Sequence, residues 1–278
     1  MLTNLEIDSI LKKIKQEVES RSYQLPQKYL QLTFKDPEMT SYVNGQGGFY
    51  HQFLALFTRY TQPENILELG NAFGVSTIMI ASELLPNAKL TTVDILKDQR
   101  YVPEFVYKDN RIRFVYGDDL DLNIYGNNIP QGIDWWFTDT VHFYQQIRDE
   151  YNVYEPLLKD GAFILIDDIW VKDKGKLFQE LPFEKWDLSS WCHHNGFGLL
   201  RYKRDKQDDN PLLTSSLQSA KIGYRKFYAL QNDLNRKFYR NFYNKIRVWA
   251  KRHTQLAQII RVFLRPLKRL YTPDDKTY

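Results

Sequence analysis

One cysteine in 278 residues, Cys192, leaves no partner for an internal disulfide and no thiolate set for a zinc site. A chain so poor in thiols suits a reducing compartment, and a cytoplasmic location is expected. No apolar run approaches the roughly 18 residues that cross a bilayer. The first thirty residues, charged and helix-like, do not read as a secretory leader. Repeats and low-complexity tracts are missing too. So are the G-x-G-x-x-G turn of dinucleotide sites and the G-K-[ST] of phosphate-binding loops, which disfavours nicotinamide, flavin and P-loop chemistry. What is present is ordinary for a globular protein: 43% hydrophobic and 26% charged residues.

The net charge of +4 hides an asymmetry. Residues 203–278 hold 18 Lys/Arg and 6 Asp/Glu, a balance of +12, and residues 1–202 carry −8. An acidic body with a basic tail points to an anionic partner for the tail.

Periodicity organises the body. Residues 4–22 place Leu5, Ile7, Ile10, Leu11, Ile14 and Val18 at near-helical spacing, and residues 49–60 form a second apolar helix candidate. After Pro63 the pattern changes. Asn65–Leu69, Lys89–Ile95, Arg111–Tyr116, Ile133–Thr138 and Ala162–Ile166 read as short apolar strands, with helical stretches at 75–85 and 144–158. Alternation of this kind predicts an α/β fold, a doubly wound parallel sheet covered on both faces. Trp186–Trp191 and Phe197–Tyr202 read as a closing antiparallel hairpin, linked by Cys192-His-His-Asn-Gly196. A polar linker past Arg204 precedes a long helical segment. It carries Phe227, Leu230, Leu234, Phe238, Phe242, Ile246 and Trp249 on one stripe and Arg225, Arg236, Arg240, Arg247 and Lys251 opposite.

The stretch Glu68-Leu-Gly70-Asn-Ala-Phe-Gly74-Val-Ser-Thr77 follows a strand and opens a helix, the place where open α/β sheets bind ligands. Its E-x-G-x-x-x-G spacing resembles motif I of class I S-adenosylmethionine (SAM) methyltransferases. Two acids fit the same scheme. Asp94 ends the second strand, where a carboxylate can accept both ribose hydroxyls, and Asp118 follows the third, near the adenine position. Read without the resemblance, both are solvated acids of strand ends. The resemblance also puts Gly47 and Gly48 near the methionine end of the cofactor.

A second cluster holds Asp139-Thr-Val-His142 after the fourth strand and Asp167-Asp168 after the fifth. On adjacent parallel strands the three carboxylates converge, and their mutual repulsion is relieved by a hard divalent cation such as Mg²⁺. The competing readings are a turn or helix-cap pair for Asp167-Asp168 and a satisfied strand-end histidine for His142.

The run from Asp139 to Asp168 resembles metal-dependent O-methyltransferases of the catechol type. It is closer to the branch of macrolide-sugar O-methyltransferases and cephalosporin-hydroxylase-like proteins, over residues 45–203. The resemblance implies a Rossmann-like sheet of order 3-2-1-4-5-7-6, with SAM on Glu68, Gly70, Gly74, Asp94, Asp118 and Gly48. It also implies Mg²⁺ on Asp139, Asp167 and Asp168, with His142 as general base. Thr140 and Ala162 depart from glycines of that pattern, and Asp168 stands where the catechol enzymes have Asn. A hydroxyl bound to a metal loses its proton more readily, and an imidazole that titrates near neutrality can take it. Arg148-Asp149 is read as structural. His193 and His194 are read as surface-loop residues with a secondary chance of touching substrate. Trp135, Trp136 and Trp170 are read as core or rim.

The expected organisation is a helical cap over 1–44, a catalytic domain over 45–203 and a basic helical extension over 204–278. The expected activity is methyl transfer to a hydroxyl of a small molecule, a sugar or glycosylated natural product. Two alternatives rest on the tail. An RNA methyltransferase would use its basic, aromatic-interleaved surface, though no N-P-P-[YF] follows the fourth strand. A membrane-peripheral or partner-binding protein would lay it on anionic lipid or a partner. Association of copies through the terminal helices is a further expectation.

Overall fold

The structure is a computed structural model that describes residues 2–30, 43, 49–97 and 102–204. Gly47, Gly48 and the basic segment beyond Arg204 lie outside the described residues, as do the expectations that rest on them. The chain divides into two units, Met1–Pro211 and Leu212–Tyr278, and the described residues all belong to the first.

Helix α1 (Asn4–Glu19) begins where Thr3 and Glu6 close a capping box. The Glu6 amide donates to Thr3 Oγ1 at 3.3 Å, and the Thr3 amide to Glu6 Oε2 at 2.7 Å. Ile7, Leu11, Ile14 and Val18 form its buried stripe. Leu5, expected on that stripe, points to solvent, 81% exposed. Helix α2 (Gln27–Leu30) follows Pro26, and Tyr29 donates its hydroxyl to the Ala81 carbonyl at 3.1 Å. Helix α3 (Tyr50–Thr61) packs in the same core as α1. Ile14→Ala should therefore cost the whole unit about 3 kcal/mol, the usual range for emptying a fully buried aliphatic site. Urea unfolding of the full chain reads it, and a loss under about 1 kcal/mol would mean that α1 is not part of this core.

The strands are β1 (Asn65–Leu69), β2 (Lys89–Asp94), β3 (Ile112–Tyr116), β4 (Ile133–Thr138), β5 (Leu158–Asp167), β6 (Glu184–Asp187) and β7 (Phe197–Arg201). They form one seven-stranded sheet of order β3-β2-β1-β4-β5-β7-β6, the expected Rossmann-like order. The pairs within β3-β2-β1-β4-β5 are parallel, and β7 runs antiparallel to both β5 and β6. Order reverses between β1 and β4, which makes that junction the switch point.

Each central strand is buried on both faces, so neighbouring residues enter different cores. Ile66, Trp135, Phe163 and Leu165 join the core with α1 and α3. Leu67, Trp136, Ile164 and Ile166 join the other, with Ile147, Tyr151 and Tyr154 of helix α6 (Tyr144–Tyr154). Trp135 and Trp136 are thus core residues on opposite layers, while Trp170 stands on the rim, 59% exposed.

Helices α4 (Val75–Glu83), α5 (Glu104–Tyr107) and α7 (Gly175–Glu180) complete the first unit. The sequence reading missed α5 and α7, which are too short to show a period. It also placed the sixth strand late, at 186–191. The strand ends at Asp187 because that side chain accepts the Ser189 amide at 2.9 Å, and the Cys192 amide then bonds back to the Leu188 carbonyl at 2.9 Å. Both bonds turn the chain.

Candidate active site

The site hangs from the carboxyl ends of β1 to β5 and from the link between β6 and β7. Glu68, on β1 and fully buried, accepts from Ser76 Oγ and Thr77 Oγ1, both at 2.5 Å. Burial pushes its carboxyl up from the ordinary range, and the two hydroxyls oppose that shift. The residue clamps β1 to the first turn of α4.

Beyond it, Gly70 (φ +84°) turns the chain, and its amide donates to the Val93 carbonyl at 2.8 Å. An added Cβ there would lie 2.2 Å from the Asp139 carbonyl oxygen. The turn after β1 therefore presses directly on the residue after β4. Gly74 (φ +89°) caps α4, leaving Ala72 and Phe73 exposed between the two glycines. Asp94 is fixed by two amides: Ala72 donates to Oδ2 at 2.8 Å and Leu96 to Oδ1 at 2.7 Å. Asp118 accepts from the Leu120 amide at 3.1 Å. Both acids are anchored side chains and not loosely solvated ones. They stand at the ends of adjacent parallel strands, with Asp94 paired in register to Tyr116.

The second cluster is assembled by β4, β5 and the link between β6 and β7. Asp168 has φ +57°, which breaks the strand alternation that would send consecutive side chains to opposite faces. Asp167 and Asp168 thus share one cluster. His142 Nε2 lies 2.9 Å from Asp168 Oδ2, and His193 Nδ1 lies 2.9 Å from Asp167 Oδ1 and 3.4 Å from Asp168 Oδ1. Potential ligand atoms of Asp139, His142 and Asp168 fall within 4.8 Å of one another, as do those of Asp167, Asp168 and His193.

The electrostatics follow. Burial, then Asp167, holds the Asp139 carboxyl well above the ordinary range, with Lys174 opposing. Burial alone would raise Asp168, but the His142 imidazole holds it below its usual value. Burial works against protonation of His193, yet its bond to Asp167 leaves the imidazole raised. His51, deeply buried and near His193, is driven down to about 3 by burial.

Several participants were missed or underrated. His193 is no solvated loop histidine. Its side chain is 12% exposed and packs on the Tyr50 ring at 4.8 Å between centroids. Lys174 is fully buried, its Nζ 3.5 Å from the Thr138 carbonyl, and it acts on the carboxylates of Asp139 and Asp168. Nothing in the polar run Val171–Lys176 marks it as buried. Glu150, also buried, accepts from Thr138 Oγ1 at 2.7 Å and Thr140 Oγ1 at 2.6 Å. That bond gives Thr140 a purpose at the position where the resembling families have glycine. Arg148 and Asp149 serve structure as expected, Arg148 beside Glu180 at 3.7 Å and Asp149 accepting from Gln145 at 2.7 Å. Cys192 is buried, its thiol pushed up by burial.

Residues 67–169 match the model of a family described as a methyltransferase domain. Among solved structures, the chain is similar to an SAH-bound Podospora anserina methyltransferase, PaMTH1. Identity is 14%, with 73% of this chain and 98% of that one covered and a TM-score of 0.50. It is similar also to a Corynebacterium glutamicum protein, at 13% identity over 71% and 99% of the two chains and a TM-score of 0.50. A Bacillus cereus O-methyltransferase in complex with SAH matches at 19% identity over 70% and 91%, with a TM-score of 0.45. The matched segment runs from within β1 to just past Asp168, so it takes in the acids of both clusters and His142, while Lys174 and His193 lie beyond it. That match, on a sheet of order 3-2-1-4-5-7-6, makes residues 67–169 similar to a methyltransferase domain.

Proposed function

We propose that the protein transfers the methyl group of SAM to a hydroxyl of a small molecule, a sugar or glycosylated natural product, with a divalent cation assisting. The observation that carries this reading is the contact between the two clusters. The turn that would cradle the cofactor presses on Asp139, one of the carboxylates proposed to hold the metal. Donor and acceptor sites are then adjacent across the switch point between β1 and β4.

In this reading Asp94, fixed in place by the Ala72 and Leu96 amides, accepts the ribose hydroxyls. Asp118 stands near the adenine. Gly70 and Gly74 shape the turn beneath the cofactor, and Glu68 holds that turn to α4. Asp139, Asp167 and Asp168 would hold the metal. The residues suit such an ion, since Asp168 Oδ1 is buried with no hydrogen bond. A buried carboxylate oxygen without a hydrogen bond is costly, and an ion supplies the missing partner. When bound, a divalent cation lowers the pKa of a coordinated hydroxyl.

His142 takes the hydroxyl proton, and Asp168 Oδ2, at 2.9 Å, orients the imidazole and stabilises its cationic form. The deprotonated acceptor oxygen would then bond to the methyl carbon in line with the carbon–sulfur bond that breaks, and the thioether S-adenosylhomocysteine would leave. Positioning of the two partners supplies much of the acceleration. Among the described residues no helix is long and apolar enough to cross a membrane.

Calorimetry with SAM, with and without Mg²⁺ and a panel of hydroxyl acceptors, tests the proposal. SAM binding is expected, and its absence would overturn the core claim. Full turnover in excess EDTA would remove the metal and leave methyl transfer standing. His142→Ala should lower turnover about a hundredfold while SAM affinity stays unchanged, the scale of a lost general base. Unchanged turnover would remove His142 from that role.

A further inference from the structure

We propose that His193 is a nitrogen ligand of the metal site, so that the site selects an imidazole-accepting ion such as Mn²⁺ or Co²⁺ over Mg²⁺. The inference rests on the metal-assisted part of the reading above and extends it to the identity of the ion. Two observations carry it.

The first is the placement of His193. Its Nδ1 faces both carboxylates of the pair, at 2.9 Å from Asp167 Oδ1 and 3.4 Å from Asp168 Oδ1. Together the three side chains offer two oxygens and a nitrogen within 4.8 Å of one another. The ring is held between Tyr50, 4.8 Å away, and His194, 4.9 Å away, so it is placed before any ion arrives. The link that carries it is brought there by β7, whose first residue, Phe197, pairs with Asp167.

The second is the unpartnered oxygen. Asp168 is 7% exposed, and its Oδ1 has no hydrogen-bond partner although its Oδ2 sits against His142. A buried carboxylate oxygen left unbonded beside an imidazole nitrogen fits a position that an ion completes. An ion on Nδ1 requires the neutral tautomer that carries its proton on Nε2.

The chemistry of the donors decides the ion. Magnesium favours an all-oxygen octahedron and binds imidazole poorly. Imidazole with carboxylates suits the first-row divalent ions. An all-carboxylate site would show no such dependence on a histidine in the β6–β7 link.

The test uses the full chain stripped with chelator. Mn²⁺ bound to it is examined by pulsed electron paramagnetic resonance for coupling to a histidine nitrogen. Competition between Co²⁺ and Mg²⁺ is measured by equilibrium dialysis. The expected result is a nitrogen coupling that persists in His142→Ala and vanishes in His193→Gln, with the Co²⁺-over-Mg²⁺ preference falling at least tenfold in His193→Gln. The proposal is overturned by Mn²⁺ binding without a nitrogen coupling, by a coupling that follows His142 instead, or by no binding of either ion. The wild-type spectrum decides even if the variant fails to fold. SAM calorimetry on the same samples reports the methyltransferase reading separately, so the two can fail independently.

Discussion

Gly70→Ala should destabilise the domain by about 3 kcal/mol and weaken SAM binding at least tenfold. A left-handed backbone costs an L-residue about 1–2 kcal/mol, and Gly70 has φ +84°. The larger part is steric. The new Cβ would sit 2.2 Å from the Asp139 carbonyl oxygen and 2.6 Å from its carbon, both backbone atoms. Neither can swing aside like the end of a side chain. Asp139 is held by its own amide, which donates to the Leu69 carbonyl at 2.8 Å, and by Thr138 paired with Leu69 in register. Relief must therefore part β1 from β4 at the switch point, and overpacking of that kind costs about 1–3 kcal/mol. The displacement would fall on the turn to Gly74 and on Asp139 together, which is why binding should suffer along with stability. Gly126→Ala is the control. It too has positive φ, at +56° with ψ −130°, but its Cβ would meet nothing within 4 Å, so only a backbone cost of about 1–3 kcal/mol remains, with SAM binding unchanged. SAM titration of both variants compares them, and equal losses of SAM affinity would refute the steric argument.

The same contact explains what could be read from the sequence. β1, β2, β4 and β5 are apolar runs that stop at a glycine or an acid, so both their existence and the residues at their ends were legible. Strand order followed from the resemblance and agrees with the structure. That Gly70 touches Asp139 was not legible, because it depends on how two parallel strands end side by side. His193 was hidden for a similar reason. It is 26 residues from Asp167 in the chain, and only the antiparallel return of β7 alongside β5 brings them together. The histidine pair in a hairpin link was visible, but its register against Asp167 was not. Lys174 gave no signal at all. Val171-Lys-Asp-Lys-Gly-Lys176 reads as a solvated turn, and the lysine turns inward because Gly175 packs against the Ile169 backbone, with an added Cβ only 2.0 Å from the Ile169 carbonyl oxygen. Pattern reports which faces are apolar; it does not report a buried cation held by a carboxylate cluster.

Asp139→Asn should trade activity for stability. Turnover is expected to fall roughly a thousandfold, since losing a metal-ligating carboxylate removes several kcal/mol of transition-state stabilisation. The ligand-free protein should nevertheless become more stable, by about 1 kcal/mol at pH 7 to 8, as is common when a strained functional residue is neutralised. The sign follows from linkage. In the folded state the Asp139 carboxyl is held well above its ordinary range by burial and by Asp167, with Lys174 only partly compensating. Between the ordinary carboxylate value and that raised one, the folded chain binds more protons than the unfolded chain. Stability therefore falls as pH rises through the window, and above the folded pKa the deficit is complete. A carboxamide has no proton to lose, so the variant's curve should be flatter, and its advantage should shrink toward pH 4, where the unfolded chain's carboxyl also begins to take up its proton. Thermal melts of both proteins from pH 4 to 8 measure this. An advantage that fails to grow with pH, or a variant less stable at pH 8, would remove the electrostatic strain assigned to Asp139. Adding Mn²⁺ should then reverse the order. The ion stabilises the folded wild-type chain in proportion to its binding, while the variant, short of one carboxylate, gains little. The repulsion that weakens the ligand-free domain and the affinity that assembles its reacting site would then have one origin, the convergence of Asp139 with Asp167 and Asp168 at the ends of β4 and β5.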